Sequence, residues 1–101
     1  MRAVLETARD QKRLLTYLEL AERLGLEPPY RIHRITRVLE LLADEDLAAG
    51  RVPLAALVTS KVRSGLPAPG FFEYLAQRGV DISPDPAAFH RRWVDALFSK
   101  R

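Results

Sequence analysis

The sequence predicts a mainly α-helical fold with a small β-hairpin, in the order of a winged helix-turn-helix with a C-terminal helical extension. Three features support this prediction: a helix-start motif at residues 16–19, a proline turn between two amphipathic segments, and a short apolar run at residues 52–58 that precedes turn-forming residues. The 101 residues fit a single domain, 1–101. We place a winged-helix core at about 15–80 and a C-terminal helix at about 84–98.

The first two helices are predicted from the absence of helix breakers and from a capping pattern. Residues 2–14 contain neither Gly nor Pro, and Val4, Leu5 and Ala8 fall on one helical face. Thr16 and Glu19 then have the spacing of a capping box, in which each side chain binds a free amide of the first helical turn. Helical spacing continues to Leu24, and the next residue is a glycine suited to a left-handed cap. The sequence therefore predicts a short second helix that begins at the capping box.

The third predicted helix follows a turn at Glu27-Pro28-Pro29, which cannot continue a helix. It begins near Tyr30 and has one apolar side, formed by Ile32, Ile35, Val38, Leu39 and Leu42. The other side carries His33, Thr36, Arg37 and Glu40, flanked by Arg34. The acidic residues 44–46 are expected to start a separate short helical turn that Gly50 stops.

The second half of the chain predicts the hairpin and two more helices. The run 52–58 is typical of a buried strand, and residues 59–65 are expected to form the tip and return of the hairpin. Residues 71–78 predict a helix that ends at Gly79. Ser83 and Pro84 have the pattern of an N-cap and first helical residue for the last helix. Its buried face is expected to contain Phe89, Trp93, Leu97 and Ala96.

The positive charges are unevenly distributed, although the net charge is only +3. Three arginines and no acid lie in residues 28–39, and three more cations and no acid lie in residues 47–72. A hairpin folded beside the third helix would join the two groups into one cationic surface that favours phosphates. The candidate nucleic-acid contacts are Arg31, His33, Arg34, Arg37, Lys61 and Arg63. The alternative is a solvated helix face with an ordinary basic loop.

Several classes of function are unsupported by the sequence. There is no cysteine, which excludes a thiolate zinc site, an iron–sulfur cluster and a cysteine nucleophile. His33 and His90 are on different predicted helices without ligand spacing, and no Gly-x-Ser-x-Gly motif occurs. We therefore expect a non-enzymatic protein without metal or cofactor. No apolar run approaches the roughly 18–20 residues that span a bilayer, so we expect a cytoplasmic protein without membrane contact.

Residues 15–80 resemble the winged-helix DNA-binding domain of the O6-alkylguanine DNA alkyltransferases and alkyltransferase-like proteins. The matching pattern is Thr16-Tyr17-x-x-Leu20-Ala21-x-x-Leu24-Gly25, then an arginine-bearing helix and Val52-Pro53-Leu54. The resemblance implies duplex DNA binding, with Arg31 or Arg34 at the position of the family's arginine finger. Where the family has Pro-Cys-His-Arg-Val, this chain has Pro53-Leu54-Ala55-Ala56-Leu57, so it lacks the alkyl-accepting cysteine.

A second resemblance covers most of the chain after residue 16. Residues 51–61 and the motif Gly65-Leu66-Pro67-x-Pro69-Gly70-Phe71-Phe72 are similar to a stretch of small bacterial proteins. Glycine and proline in this motif indicate a fixed turn, for which a structural role is at least as well supported as a binding role.

The leading functional hypothesis is a small winged-helix protein that binds nucleic acid, chiefly duplex DNA, through phosphate contacts. The alternative is a protein-interaction module that binds a partner or a second copy of itself through the helix containing Trp93 and Phe98, or through the acidic segment 40–46. A third hypothesis is an accessory domain of an enzyme.

Overall fold

Five α-helices and two short strands form the fold in residues 1–63 and 65–99, which are the residues that this computed structural model describes. The elements are α1 (Arg2–Asp10), β1 (Leu15–Thr16), α2 (Tyr17–Arg23), α3 (Arg31–Ala48), β2 (Val58–Thr59), α4 (Pro69–Gln77) and α5 (Pro86–Ser99). Short 3-10 helices cover Leu54–Leu57 and Lys61–Arg63. The prediction of a mainly helical domain is confirmed. None of these helices is long and apolar enough to cross a membrane.

The two strands form a parallel pair, so the predicted hairpin is wrong. Leu15 lies opposite Val58, and Thr16 lies opposite Thr59. The Thr59 hydroxyl also donates a hydrogen bond to the Leu15 carbonyl oxygen at 3.3 Å. A hairpin requires antiparallel strands, whereas β1 and β2 come from distant parts of the chain. Both residues of β2 are buried, and after Ser60 the chain turns into a 3-10 helix instead of returning as a second strand. Ser64, in the predicted return, lies outside the described residues.

The apolar run 52–58 is buried as predicted, but its conformation differs from the predicted strand. Leu54–Leu57 form a 3-10 helix in which every residue is buried, and only Val58 belongs to a strand. The Asp46 carboxylate accepts a hydrogen bond from the Leu54 amide at 3.1 Å and so holds the start of this turn. A short apolar run has no periodicity that separates a buried strand from a buried helical turn.

α1 ends at Asp10, which is earlier than the predicted end near residue 14. Lys12 has a left-handed backbone with φ of 56°. The Arg13 amide reaches back to the Ala8 carbonyl at 2.9 Å, as in a Schellman-type helix end. This turn directs the chain from α1 into β1, so that Leu15 is buried.

The capping box at the start of α2 is confirmed. Thr16 Oγ1 accepts from the Glu19 amide at 3.0 Å, and the Glu19 carboxylate accepts from the Thr16 amide at 2.9 Å. The Thr16 amide lowers the pKa of Glu19. Such an N-cap stabilises a helix by about 1 kcal/mol. The helix ends at Arg23, and the predicted capping glycine, Gly25, follows with a φ of 69° in the left-handed region.

α3 is one continuous helix through the acidic residues, so the predicted separate turn at 44–46 is wrong. No residue of that segment breaks a helix, and the helix ends just before Gly50, which has a φ of 74°. Its buried residues are Ile35, Leu39, Ala43 and Asp46. Two residues of the predicted apolar side, Ile32 and Val38, are exposed. The buried stripe follows spacings of four and three, which leave these two residues on its flanks.

α4 and α5 form a second buried cluster. α4 ends at Gln77, just before the predicted stop at Gly79, but α5 begins at Pro86 and not at Pro84. The Asp85 carboxylate accepts from the Ala87 amide at 3.0 Å and provides the cap that was assigned to Ser83. The buried residues of α5 are Phe89, His90, Val94 and Leu97. The predicted Trp93 is half-buried and Ala96 is exposed.

His90 is buried in the core rather than on the surface. Its Nε2 lies 2.7 Å from the Ala56 carbonyl oxygen, to which it donates, and its ring meets Phe72 edge to face. Burial lowers the pKa of His90, and the bond to Ala56 offsets only part of this effect. His90 is therefore neutral at physiological pH.

This buried imidazole predicts a loss of stability in mild acid. The pKa of His90 is lower in the folded state, so the unfolded state binds the proton first once the pH falls below the ordinary value of 6.5. The His90 contribution is complete above that pH and decreases as the pH falls through the folded-state pKa. We expect urea midpoints to decrease from pH 7.5 to pH 5, and to change less in a His90→Gln variant. Parallel slopes for the two proteins would contradict this role.

Candidate nucleic-acid interface

The first two turns of α3 carry four of the predicted contact residues on neighbouring positions. His33, Arg34 and Arg37 are exposed, and Arg31 is half-buried at the first helical position. Residues three or four apart on a helix are neighbours on its surface. We call this group, Arg31, His33, Arg34 and Arg37, the α3 basic face. None of its arginines takes part in an ion pair within the described residues.

At the other end of α3, Asp44 is neutralised by α4. Tyr74 donates its hydroxyl hydrogen to Asp44 at 2.6 Å, and the Arg78 guanidinium binds the same carboxylate while it stacks 3.5 Å above the Tyr74 ring. Arg78 lowers the pKa of Asp44. Burial and the bond to Asp44 raise the pKa of Tyr74 to about 12. Asp44 therefore forms a structural contact between α3 and the C-terminal end of α4.

Asp46 is neutralised by two arginines, Arg2 from α1 and Arg51 from just after α3. Its side chain is 1% exposed, and it accepts from Arg2 Nη1 at 2.9 Å and from Arg51 Nη2 at 2.9 Å. Burial raises the pKa of Asp46, but the Leu54 amide, Arg51 and Arg2 together outweigh it, so that the pKa is lowered. Arg2 also binds Glu45 at 2.9 Å.

These ion pairs change the predicted distribution of free charge. Asp44, Glu45 and Asp46 are paired with cations from other elements, so they do not offset the α3 basic face. Arg51, which the sequence placed in the second acid-free group, is bound to Asp46. Asp44, Glu45 and Asp46 are thus occupied within the fold, whereas Glu40 of the same acidic segment has no ion pair within the described residues.

Lys61 and Arg63 lie on a 3-10 turn and not on a hairpin, and they differ in environment. Lys61 is exposed, whereas Nη1 of Arg63 is buried without a hydrogen-bond partner in the described part of the chain. The Arg63 guanidinium lies close enough to Tyr17 to lower its pKa, although burial raises that pKa more. Tyr17 accepts from the Ala68 amide at 3.1 Å. One guanidinium nitrogen of Arg63 is therefore enclosed near Tyr17, although the residue as a whole is half-buried.

Tyr17 connects this turn to α3. Together with Thr36 and Phe71 it lines a cavity of about 70 Å³ next to the first turn of α4. Tyr17 is thus a neighbour of both Arg63 and Thr36, which lies in the second turn of α3. The sequence contained no signal for this contact, because the residues are far apart in the chain.

Sequence reasoning also missed the exposed apolar residues on α3. Tyr30, Val38 and Leu41 are exposed, and Leu41 is the more accessible of the two aliphatic residues at 61%. Tyr30, the N-cap residue, precedes Arg34 and Arg37, and Val38 and Leu41 follow them. The signal was present, since Leu41 departs from the spacing of the buried stripe.

On α5, by contrast, the predicted partner-binding residues face inward. Trp93 and Phe98 are half-buried and pack against the core, and the Phe89 and Trp93 rings contact at a tilt, with their centroids 4.5 Å apart. A substitution of either residue would disturb the fold as well as any partner.

Within the described residues, no group of three or more His, Asp or Glu side chains is placed to bind a metal ion.

No protein-family model matches the chain, and neither a curated protein nor a solved structure matches it.

Proposed function

We propose that this protein binds nucleic acid, chiefly duplex DNA, by placing the α3 basic face against backbone phosphates. One observation supports this proposal above the others. The basic face has no acidic partner among the described ion pairs, while three acids of the same helix are paired with cations elsewhere. A row of arginines that have no ion pair within the described residues, beside a helix N-terminus, favours phosphate through charge and through the free amides of the first turn.

The arrangement of α2 and α3 supports a helix-turn-helix mode of docking. α2 packs on α3, and residues 24–30 join them. In such pairs the second helix enters the major groove, and the first crosses the backbone. The resemblance to the alkyltransferase DNA-binding domain supports the same mode. We propose a version without a hairpin wing, in which Lys61 adds a backbone contact and Arg63 supports the turn.

The role that we propose is binding without catalysis. Alkyl transfer needs a thiolate, and the chain contains no cysteine. The proposed contacts are between arginines and backbone phosphates. Affinity for DNA is therefore expected to depend strongly on salt and weakly on base sequence.

Replacing Arg34 and Arg37 together with alanine tests the proposal. Each lost phosphate contact reduces the slope of log affinity against log salt by about 0.9, so the double variant should lose a slope of about 1.8 and bind more weakly. The measurement is fluorescence anisotropy of a labelled duplex between about 50 and 200 mM salt. The duplex is of mixed sequence, because the proposed contacts are to phosphates.

A double variant with the same change in charge serves as the control. Lys12→Ala with Arg13→Ala removes two exposed cations between α1 and β1 and should retain most of the affinity and slope. The proposal is wrong if the wild-type protein does not bind DNA at low salt, or if the two double variants lose equal affinity.

Protein interaction is a second candidate, and the exposure of Val38 and Leu41 favours α3 over α5 as its surface. The two candidates differ in what Leu41→Ala would change. If α3 binds a protein, Leu41→Ala should weaken that complex. If α3 binds DNA, Leu41→Ala should leave the salt slope of DNA binding unchanged.

A further inference from the structure

A cleft of about 420 Å³ lies between α1, the chain at residues 51–54, and α5. Three arginines line it: Arg2 and Arg9 from α1, and Arg51 from the segment after α3. Val52 and Leu97 provide an apolar wall. Sites for small organic molecules commonly measure about 300–1,000 Å³ and combine apolar walls with a few fixed polar groups. We call this site the arginine cleft.

Two of the three guanidinium groups are fixed in place by the fold. Arg2 uses Nη1 for Asp46 and Nη2 for Glu45, and Arg51 uses Nε and Nη2 for Asp46. A guanidinium carries five N–H donors, so each arginine keeps several for a ligand. Donors already held in place lose little conformational entropy when they bind. Both side chains remain partly accessible, at 30% for Arg2 and 52% for Arg51.

We propose that the arginine cleft binds a small organic anion, namely a phosphate or carboxylate attached to an apolar group. The anionic group would accept from Arg9, Arg51 and Arg2, and the apolar group would lie against Val52 and Leu97. Asp46 does not oppose such a ligand directly, because its carboxylate is buried and its oxygens already accept hydrogen bonds from the two arginines and the Leu54 amide.

Glu45 and Asp10 lower the net positive charge through their ion pairs with Arg2 and Arg9, and one further acid, which lines the cleft, opposes an anion directly. Glu6 is exposed and lines the same space. Its removal should therefore strengthen binding, whereas a cleft for cations would lose affinity from the same change. This opposite sign makes Glu6→Gln a discriminating variant.

The arginine cleft is separate from the α3 basic face. Asp46 follows Arg34 by twelve residues, which corresponds to about 18 Å along a helix axis. Loss of ligand binding in the cleft and loss of DNA binding can therefore be measured with different variants.

The test is an amide-shift NMR titration of the full chain with phenyl phosphate, inorganic phosphate and phenol. Phenyl phosphate is expected to shift the Leu54 and Leu97 amides and to bind more tightly than inorganic phosphate, and phenol is expected to cause no such shifts. Arg9→Gln should weaken phenyl phosphate about tenfold, and Glu6→Gln should strengthen it about twofold. Arg9 is the suitable arginine to replace, because its described ion pair is with the neighbouring Asp10.

Arg23→Gln on α2 is the matched control and should leave the affinity unchanged. The proposal is overturned if phenyl phosphate shifts no cleft amide, if Arg9→Gln and Arg23→Gln weaken it equally, or if Glu6→Gln weakens it. Equal affinity for phenyl phosphate and inorganic phosphate would overturn the proposal that the ligand carries an apolar group.

Discussion

Replacing Asp46 with alanine should lower the free energy of unfolding by about 3 kcal/mol. The change leaves the Leu54 amide in a buried position without its acceptor, and it leaves Arg2 and Arg51 without their shared carboxylate. The loss is smaller than for a fully buried ion pair, because both arginines still contact water. Urea denaturation at neutral pH measures the difference.

Glu45→Ala is the control for this change. It removes the other carboxylate that binds Arg2, but that carboxylate is largely exposed, so less than about 1 kcal/mol should be lost. Equal losses for the two variants would show that Asp46 acts as an ordinary surface acid.

The stabilisation by Asp46 also depends on pH, because the pKa of its carboxyl is lowered in the folded state. The stabilisation is complete above the ordinary pKa of 3.8 and is lost as the pH falls through the folded-state pKa.

Two leucines on α3 provide the second large effect. Leu39 is 5% exposed in the core, and Leu41 is 61% exposed. Leu39→Ala should cost about 2–5 kcal/mol through lost burial and the cavity that remains, whereas Leu41→Ala should change stability by no more than about 0.5 kcal/mol. Both variants replace a leucine of the same helix with alanine. The difference between their losses of stability therefore reports burial alone. Similar losses would contradict the orientation of α3.

The features that the sequence predicted well depend on neighbouring residues. The capping box of Thr16 and Glu19 is one example, and the helix ends before Gly25 and Gly79 are others. Each is decided by side-chain and backbone chemistry within one or two turns, and the same pattern recurs in unrelated proteins. Helix existence was therefore predictable for all five helices.

The features that the sequence did not predict depend on residues far apart in the chain. Thr59 and Leu15, which share a hydrogen bond between β2 and β1, are 44 residues apart. With strands of two residues, no alternation is long enough to reveal the pairing. The apolar run was correctly assigned to the core, but its partner, and hence its conformation, was not available locally.

The candidate site divides in the same way. The exposure of Arg34 and Arg37 follows from helical spacing and was predictable. The pairing of Arg51 with Asp46 and the buried Nη1 of Arg63 were not, because charge counted along the sequence does not show which groups surround each cation. The arginine cleft was missed for the same reason, since Arg2 and Asp46 are 44 residues apart.

The ion pairs of Asp46 also constrain how this sequence can change over time. Loss of Arg2 or Arg51 alone leaves a buried carboxylate with half of its neutralising charge, and loss of Asp46 alone leaves two cations beside an unpaired amide. Replacing all three residues by well-packed apolar side chains avoids both penalties. Positions 2, 46 and 51 are thus expected to vary together among descendants of this chain, because their ion pairs connect α1 to the end of α3.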